Sequence, residues 1–204
     1  MKLKVCGMRD PENIEAVGKL QPDLMGFIFY EKSKRFVKPD AWVLEKVWSF
    51  QGERVGVFVN ATIEEILESV AAFRLDYVQL HGDESPEYGQ TLQAKGVRII
   101  KVFRVQDVLP ARGLQEWEPY ADFFLFDTQT KDYGGSGQKF DWSILREYNS
   151  DKPFILSGGI DLGDITAIKQ QAIPRLWGID VNSRFETEPG LKDVKKVKAL
   201  IDEL

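Results

Sequence analysis

One pattern recurs about eight times along this chain: a short β-rich apolar run, a turn, and a stretch with helical periodicity. The runs are Leu3 to Cys6, Met25 to Phe29, Val55 to Val59, Tyr77 to His81, Ile99 to Phe103, Phe123 to Asp127, Phe154 to Ser157 and Trp177 to Val181. They are mostly apolar on both faces and rich in Val, Ile, Leu and Phe, as strands covered on two sides of a parallel sheet must be. Helical patterns lie between most of them, at Pro11 to Leu20, Ala41 to Trp48, Ile63 to Phe73, Ser85 to Lys95, Trp142 to Glu147 and Gly163 to Gln171, and Leu191 to Leu204 reads as a closing amphipathic helix. The repeat predicts an α/β fold, a single-domain (β/α)8 TIM barrel over residues 1–204. That fold typically uses ~250 residues, so its connections here must be lean. An open doubly wound sheet is the other architecture such alternation allows, with its ligand at a switch point between strands. Eight runs and no long linker favour the barrel.

One unit fits poorly. Val105 to Ala121 contains Pro110, Gly113 and Pro119, which predicts a short or irregular fifth helix. No composition break or charge block marks a second domain. With no apolar stretch of membrane-spanning length and a strand where a secretion signal would begin, the expectation is a cytoplasmic protein with no membrane partner. Hydrophobic residues make up 43% of the chain, enough for a core without disulfide staples. The formal net charge of −5 argues against nucleic acid as a partner. A small anionic ligand would then need local positive groups.

In a barrel, function gathers at the C-terminal ends of the strands. Those tips carry Cys6-Gly7-Met8-Arg9, Tyr30 to Arg35, Asn60, His81-Gly82-Asp83, Arg104, Asp127-Thr128, Ser157-Gly158-Gly159 and Asn182-Ser183-Arg184. Gly134-Gly135-Ser136-Gly137, Gly158-Gly159 and Asn182-Ser183 follow the last three strands in turn. Glycine permits positive φ and close backbone approach, so amides there can face an anion, and a short helix starting near Asn182 would add donors. One such segment is an ordinary tight turn; three in consecutive final loops point to phosphate. No Walker A or dinucleotide fingerprint is present.

Cys6 is the only cysteine and can form no internal disulfide. It is either a small buried hydrophobe or a reactive group, and reactivity would need an electropositive setting. Asp127 ends the apolar run Phe123-Phe124-Leu125-Phe126. A carboxyl emerging from such a strand can hold its proton near neutral pH and act as a general acid, or it can simply cap a loop or pair with Lys131.

Taken in order, Lys4-Val5-Cys6-Gly7-Met8, Gly26-Phe27-Ile28-Phe29 with Ser33-Lys34-Arg35, Val57-Phe58-Val59-Asn60, Gln79-Leu80-His81-Gly82, Asp127-Thr128, Gly134 to Trp142, Leu156-Ser157-Gly158-Gly159 and Glu186 through Asp193 resemble the phosphoribosylanthranilate isomerase family. The resemblance covers nearly the whole chain. It implies an enzyme of tryptophan biosynthesis that performs an Amadori rearrangement of N-(5-phosphoribosyl)anthranilate, with no redox cofactor and no metal, as a monomer or homodimer. By the same resemblance, Asp127 matches the general acid and Cys6 the general base. Arg35 matches the residue that holds the anthranilate carboxylate, and Asp180 matches a carboxylate on the sugar hydroxyls. Gly135, Ser136, Gly137, Gly158, Gly159, Asn182 and Ser183 match the phosphate grip, and His81 lies beside the substrate in a structural or supporting role.

Arg184 departs from the pattern, because the family commonly has glycine there. Were positive φ required, an arginine would be strained; either the loop differs in conformation or the guanidinium joins the phosphate site. The five tryptophans, Trp42 and Trp48 included, read as packing groups, and the lysines from Lys192 to Lys198 as the wet face of the last helix. The related isomerase of histidine biosynthesis carries aspartate where this chain has Cys6. A lyase of the same lineage would need strand-end lysine and glutamate, and Lys101 is the sole candidate lysine, without a matched glutamate. A non-catalytic phosphate-binding barrel would need neither Cys6 nor Asp127.

Overall fold

The structure, a computed structural model, describes residues 1–129 and 139–204. Eight parallel strands follow one another round a closed ring: β1 (Lys2–Val5), β2 (Leu24–Ile28), β3 (Glu53–Phe58), β4 (Tyr77–Leu80), β5 (Ile99–Val105), β6 (Phe123–Thr128), β7 (Phe154–Leu156) and β8 (Leu176–Val181), with β8 pairing back to β1. The barrel expectation holds and the open sheet does not. Helices α1 (Pro11–Gly18), α2 (Ala41–Ser49), α3 (Ile63–Phe73), α4 (Pro86–Gln93), α5 (Ala111–Trp117), α6 (Ile165–Gln170) and α7 (Val194–Glu203) cover the outside. Among the described residues no helix is long and apolar enough to cross a membrane.

The helices begin where short polar side chains can satisfy free amides. Asp10, Asp40, Ser85 and Asp193 each cap a first turn, and Thr62 with Glu65 forms a reciprocal capping box on α3. The fifth helix is short as expected. It starts at Pro110, whose side chain cannot accept a capping hydrogen bond, and it carries Gly113 in its interior. The Trp142–Glu147 stretch is a 3-10 helix rather than an α-helix, six residues long and capped by the Asp141 side chain, which accepts the Ser143 N–H. The closing helix starts at Val194, later than its periodicity predicts. The residues before it, Leu191–Lys192 (β10), instead fold back on Glu186–Glu188 (β9) as a hairpin across Pro189-Gly190, with Gly190 at φ 88.

Side chains alternate along each strand, and the inward set is layered. At the bottom Leu24, Val55, Tyr77, Ile100, Leu125 and Ile155 form an apolar plug inside the barrel. Burying each such side chain contributes roughly 1.5–3 kcal/mol. Two residues further along, the inward groups of β4, β6 and β7 turn polar, while those of β2, β3 and β5 are Gly26, Val57 and Val102. Gln79 follows Tyr77, Asp127 follows Leu125 and Ser157 follows Ile155. The outward set packs under the helices as the larger core, with Trp117 and Trp142 in it. Trp42 and Trp48 correct the packing expectation. They lie on α2 at the surface, 52% and 39% exposed.

A recurrent device closes the bottom rim. Asp23, Asp76 and Asp122 immediately precede β2, β4 and β6. Each carboxylate accepts the backbone N–H at or beside the start of the strand before, from Leu3 (2.8 Å), Arg54 (2.8 Å) and Ile99 (2.7 Å). No such carboxylate precedes β8, where Arg175 stands. Between β7 and β8 the register shifts, Phe154 facing Leu176 and Ile155 facing Gly178, so Trp177 is the extra residue. Its ring lies 4.6 Å from that of Phe123.

Candidate active site

The polar layer opens at the top of the barrel into a cavity of about 590 Å³. Of the expected site residues, Cys6, Arg35, His81, Asp127, Gly158, Gly159, Asp180, Asn182, Ser183 and Arg184 all line it. Gly135, Ser136 and Gly137 lie outside the described residues.

Period-two alternation places these groups. On β1, Lys4 and the following Cys6 face inward, and on β8 Asp180 and the following Asn182 do the same. Lys4 stands opposite Asp180 in the register, and its ammonium donates to Asp180 Oδ1 at 2.9 Å with no solvent exposure of the side chain. Ser157 Oγ donates to Asp180 Oδ2 at 3.3 Å. Burial works against the charge on Lys4, but Asp180 and Cys6 more than offset it and hold its pKa above the ordinary value. Cys6 is buried too. Burial pushes its thiol up most, Lys4 and Lys192 pull it down, Asp180 adds to the upward push, and the balance holds the thiol above its ordinary value.

Asp127 enters from β6. Burial, and then the nearby Asp180 carboxylate, raise its pKa to about 7, although it accepts the Thr128 N–H at 2.9 Å and feels Lys4 and Arg104. A carboxyl shifted this far can hold a proton near neutral pH. Among the described residues His81 Nε2 has no hydrogen-bond partner, and it sits 3.5 Å from Asp127 Oδ2. That approach is not an ion pair at pH 7. Burial, then the cations Lys4, Lys101 and Arg104, hold the imidazole pKa down at about 3, so the ring is neutral. With Gln79 Nε2 placed 3.3 Å from Nδ1, the tautomer that fits has its proton on Nε2, directed at Asp127.

A second polar group lies on the β1–β2 side. Arg35 grips the Glu186 carboxylate through Nε at 2.9 Å and Nη2 at 2.7 Å, and Lys192 Nζ bridges Glu186 Oε1 and Asn182 Oδ1, the latter at 2.7 Å. Lys192 corrects the expectation of a wet helix face: it belongs to β10, is buried, and closes the hairpin onto the barrel mouth. The residues missed from sequence were thus Lys4, Glu186 and Lys192. Lys4 had a readable signal, since strand alternation puts it on the face of Cys6.

Gly158 has φ +94, and a side chain there would run into Thr128 Oγ1 at 2.2 Å and Thr128 N at 2.9 Å. The backbone after β7 is therefore bare and pressed against the tip of β6. Arg184 lies in the short 3-10 helix Ser183–Phe185, and its φ is not positive, so the anticipated strain is absent because the loop takes a different conformation there. Lys101 does meet a glutamate. Its ammonium is held by Glu84 at 2.7 Å and by the Gly82 carbonyl at 2.9 Å, under the loop after β4 and outside the cavity lining.

Residues 3–203 match the family model described as N-(5'-phosphoribosyl)anthranilate (PRA) isomerase. The chain belongs to that isomerase family. It is 48% identical to the N-(5'-phosphoribosyl)anthranilate isomerase of Parabacteroides distasonis, over all of this chain and 93% of the relative. The crystal structure of phosphoribosyl anthranilate isomerase from Thermus thermophilus superposes with a TM-score of 0.85 at 27% identity, covering 100% of this chain and 98% of that one. A phosphoribosyl anthranilate isomerase solved in complex with reduced 1-(o-carboxyphenylamino)-1-deoxyribulose 5-phosphate superposes at 0.80 with 30% identity, covering 100% and 97% of the two chains. As a member of the PRA isomerase family the chain is an enzyme of tryptophan biosynthesis.

Proposed function

We propose that this isomerase converts N-(5'-phosphoribosyl)anthranilate into 1-(2-carboxyphenylamino)-1-deoxyribulose 5-phosphate with Asp127 as general acid and Cys6 as general base. The observation that carries the assignment is the pairing in one cavity of a carboxyl with its pKa raised to about 7 and a buried thiol flanked by cations. A carboxyl poised near the working pH both holds a proton and releases it readily.

Asp127 donates its proton to the ribose ring oxygen as the C1–O bond breaks. The anilino nitrogen lone pair moves into the C1–N bond, giving an open-chain iminium, and Asp127 is left as carboxylate. The iminium acidifies the C2–H bond. Cys6 thiolate takes that proton and becomes a thiol, while the C–H electron pair forms the C1=C2 bond of a neutral enolamine. Gain of a proton at C1 and loss of the C2 hydroxyl proton complete the aminoketone. Each positioned proton carrier contributes on the order of 10²- to 10⁴-fold.

The remaining groups hold the substrate. Gly158 and Gly159 with Asn182, Ser183 and Arg184 receive the phosphate, largely through main-chain amides. Asp180 accepts from sugar hydroxyls. Arg35, with its Nε–Nη2 edge occupied by Glu186, offers its Nη1–Nη2 end to the anthranilate carboxylate. Neutral His81 directs an N–H at the acid and takes no proton.

The test is loss of anthranilate fluorescence from phosphoribosylanthranilate generated in situ, followed with wild type, Cys6→Ser and Asp127→Asn. Both variants are expected to fold and to turn over about 10²-fold or more slowly. For wild type, kcat/KM is expected to fall as pH rises through about 7, as Asp127 loses the proton it must donate. A folded variant that keeps nearly the full rate removes that residue from its role.

A further inference from the structure

Lys4 is an ammonium sealed inside the barrel, and stability alone is a poor reason for it. Removing two charges from water costs several kcal/mol each, and an apolar pair of similar volume often serves a fold as well or better. Its partner Asp180 lies at 2.9 Å, and on its other side is Cys6. A methyl group built on Gly26 of β2 would sit 2.7 Å from Cys6 Sγ and 3.1 Å from Lys4 Nζ. The missing side chain at Gly26 is therefore the space in which the thiol and the ammonium meet. The charged groups acting on Cys6 come from three elements: Lys4 on β1, Asp180 on β8 and Lys192 on β10. Lys192 is committed to Glu186 and Asn182, with Arg35 on the same Glu186. Among these five groups three cations stand against two carboxylates, and Asp127, which feels both Lys4 and Asp180, adds a third carboxylate whenever it is ionised.

We propose that Lys4 is a positioning residue for the reaction, the buried counter-charge that lets Cys6 exist as a thiolate and so act as the base. This deepens the reading of Cys6 given above and rests on it. Lys4 keeps its protons throughout. In the step it supports, the thiolate takes the C2 proton, and the positive charge that disappears is that of the substrate iminium. Asp180 then has a second effect: whatever draws it towards sugar hydroxyls releases Lys4 towards the sulfur.

The measurement is the ultraviolet absorbance of the Cys6 thiolate against pH, without substrate, in wild type, Lys4→Met and Lys4→Arg, with Cys6→Ser as the blank. An opposite charge at this range makes an acid ~10- to 1,000-fold stronger. Lys4→Met is expected to move the thiol titration upward, leaving about tenfold less thiolate or lower still at a fixed pH, and Lys4→Arg to restore most of it. The kcat/KM of Lys4→Met is expected to fall by a similar factor near neutrality, and its deficit relative to wild type to narrow as pH is raised, while both enzymes decline together with the protonated form of Asp127. A thiol titration unmoved by Lys4→Met overturns the proposal, even if activity is lost. Should Lys4→Met fail to fold, Asp180→Asn decides: freeing Lys4 and deleting a negative charge must lower the thiol pKa, and an unmoved titration overturns it. A shifted titration combined with full activity in Cys6→Ser would leave Lys4 as the thiol's counter-charge but remove the base from Cys6.

Discussion

Between about pH 4 and pH 7 the Asp127 carboxyl keeps its proton in the folded state and loses it in the unfolded chain. A raised acid of this kind lowers stability as pH climbs through that window, by roughly a few kcal/mol in all. His81 acts in the opposite sense. Its pKa is depressed to about 3, so its contribution is present above about pH 6.5 and lost as pH falls. Asp127→Asn is therefore expected to be more stable than wild type at pH 8, by a few kcal/mol in denaturant melts, with the gap closing towards pH 4. The two residues proposed as proton carriers, Cys6 and Asp127, were legible early. A lone cysteine and an aspartate ending an apolar run are visible in one dimension. Glu186 and Lys192 were not, because their pairing with Arg35 and Asn182 depends on a hairpin that no periodicity announces, and Lys192 looks from sequence like any surface lysine.

The elements were read best where one physical period rules them. Buried parallel strands give mostly apolar runs, so all eight were found, and the poor fifth helix was visible in Pro110 and Gly113. What escaped was set by short-range competition: six residues after Asp141 settle into a 3-10 helix, and Leu191–Lys192 leave the amphipathic pattern to pair with β9. The aspartates before β2, β4 and β6 were in plain sight and unread, since a single polar residue at a strand start looks like a turn. Each carboxylate satisfies an N–H of the neighbouring strand, and such charge-assisted bonds contribute ~1.5–3 kcal/mol. Asp76→Ala and Asp122→Ala are expected to lose about that much stability, measured by urea unfolding, with kcat/KM unchanged because both lie on the rim away from the cavity.

At the scale of the whole molecule the two ends of the barrel divide their duties. The lower interior is an apolar plug rimmed by aspartate clasps. The upper interior holds the buried charges that the plug keeps dry from beneath. The clasps join β1 to β2, β3 to β4 and β5 to β6, and the fourth pair goes without. β7 has only three residues, and its pairing with β8 slips at Trp177. The ring thus has a seam. Native-state hydrogen exchange is expected to show the amides of β7 and β8 opening at lower free energy than those of the clasped pairs, and equal protection around the ring would contradict this. The loops that follow these two strands are the ones that receive the phosphate in the reading above. A barrel that unzips first beside its phosphate loops would couple ligand occupancy to its own closure, so phosphate alone should slow exchange along the seam more than anywhere else in the molecule.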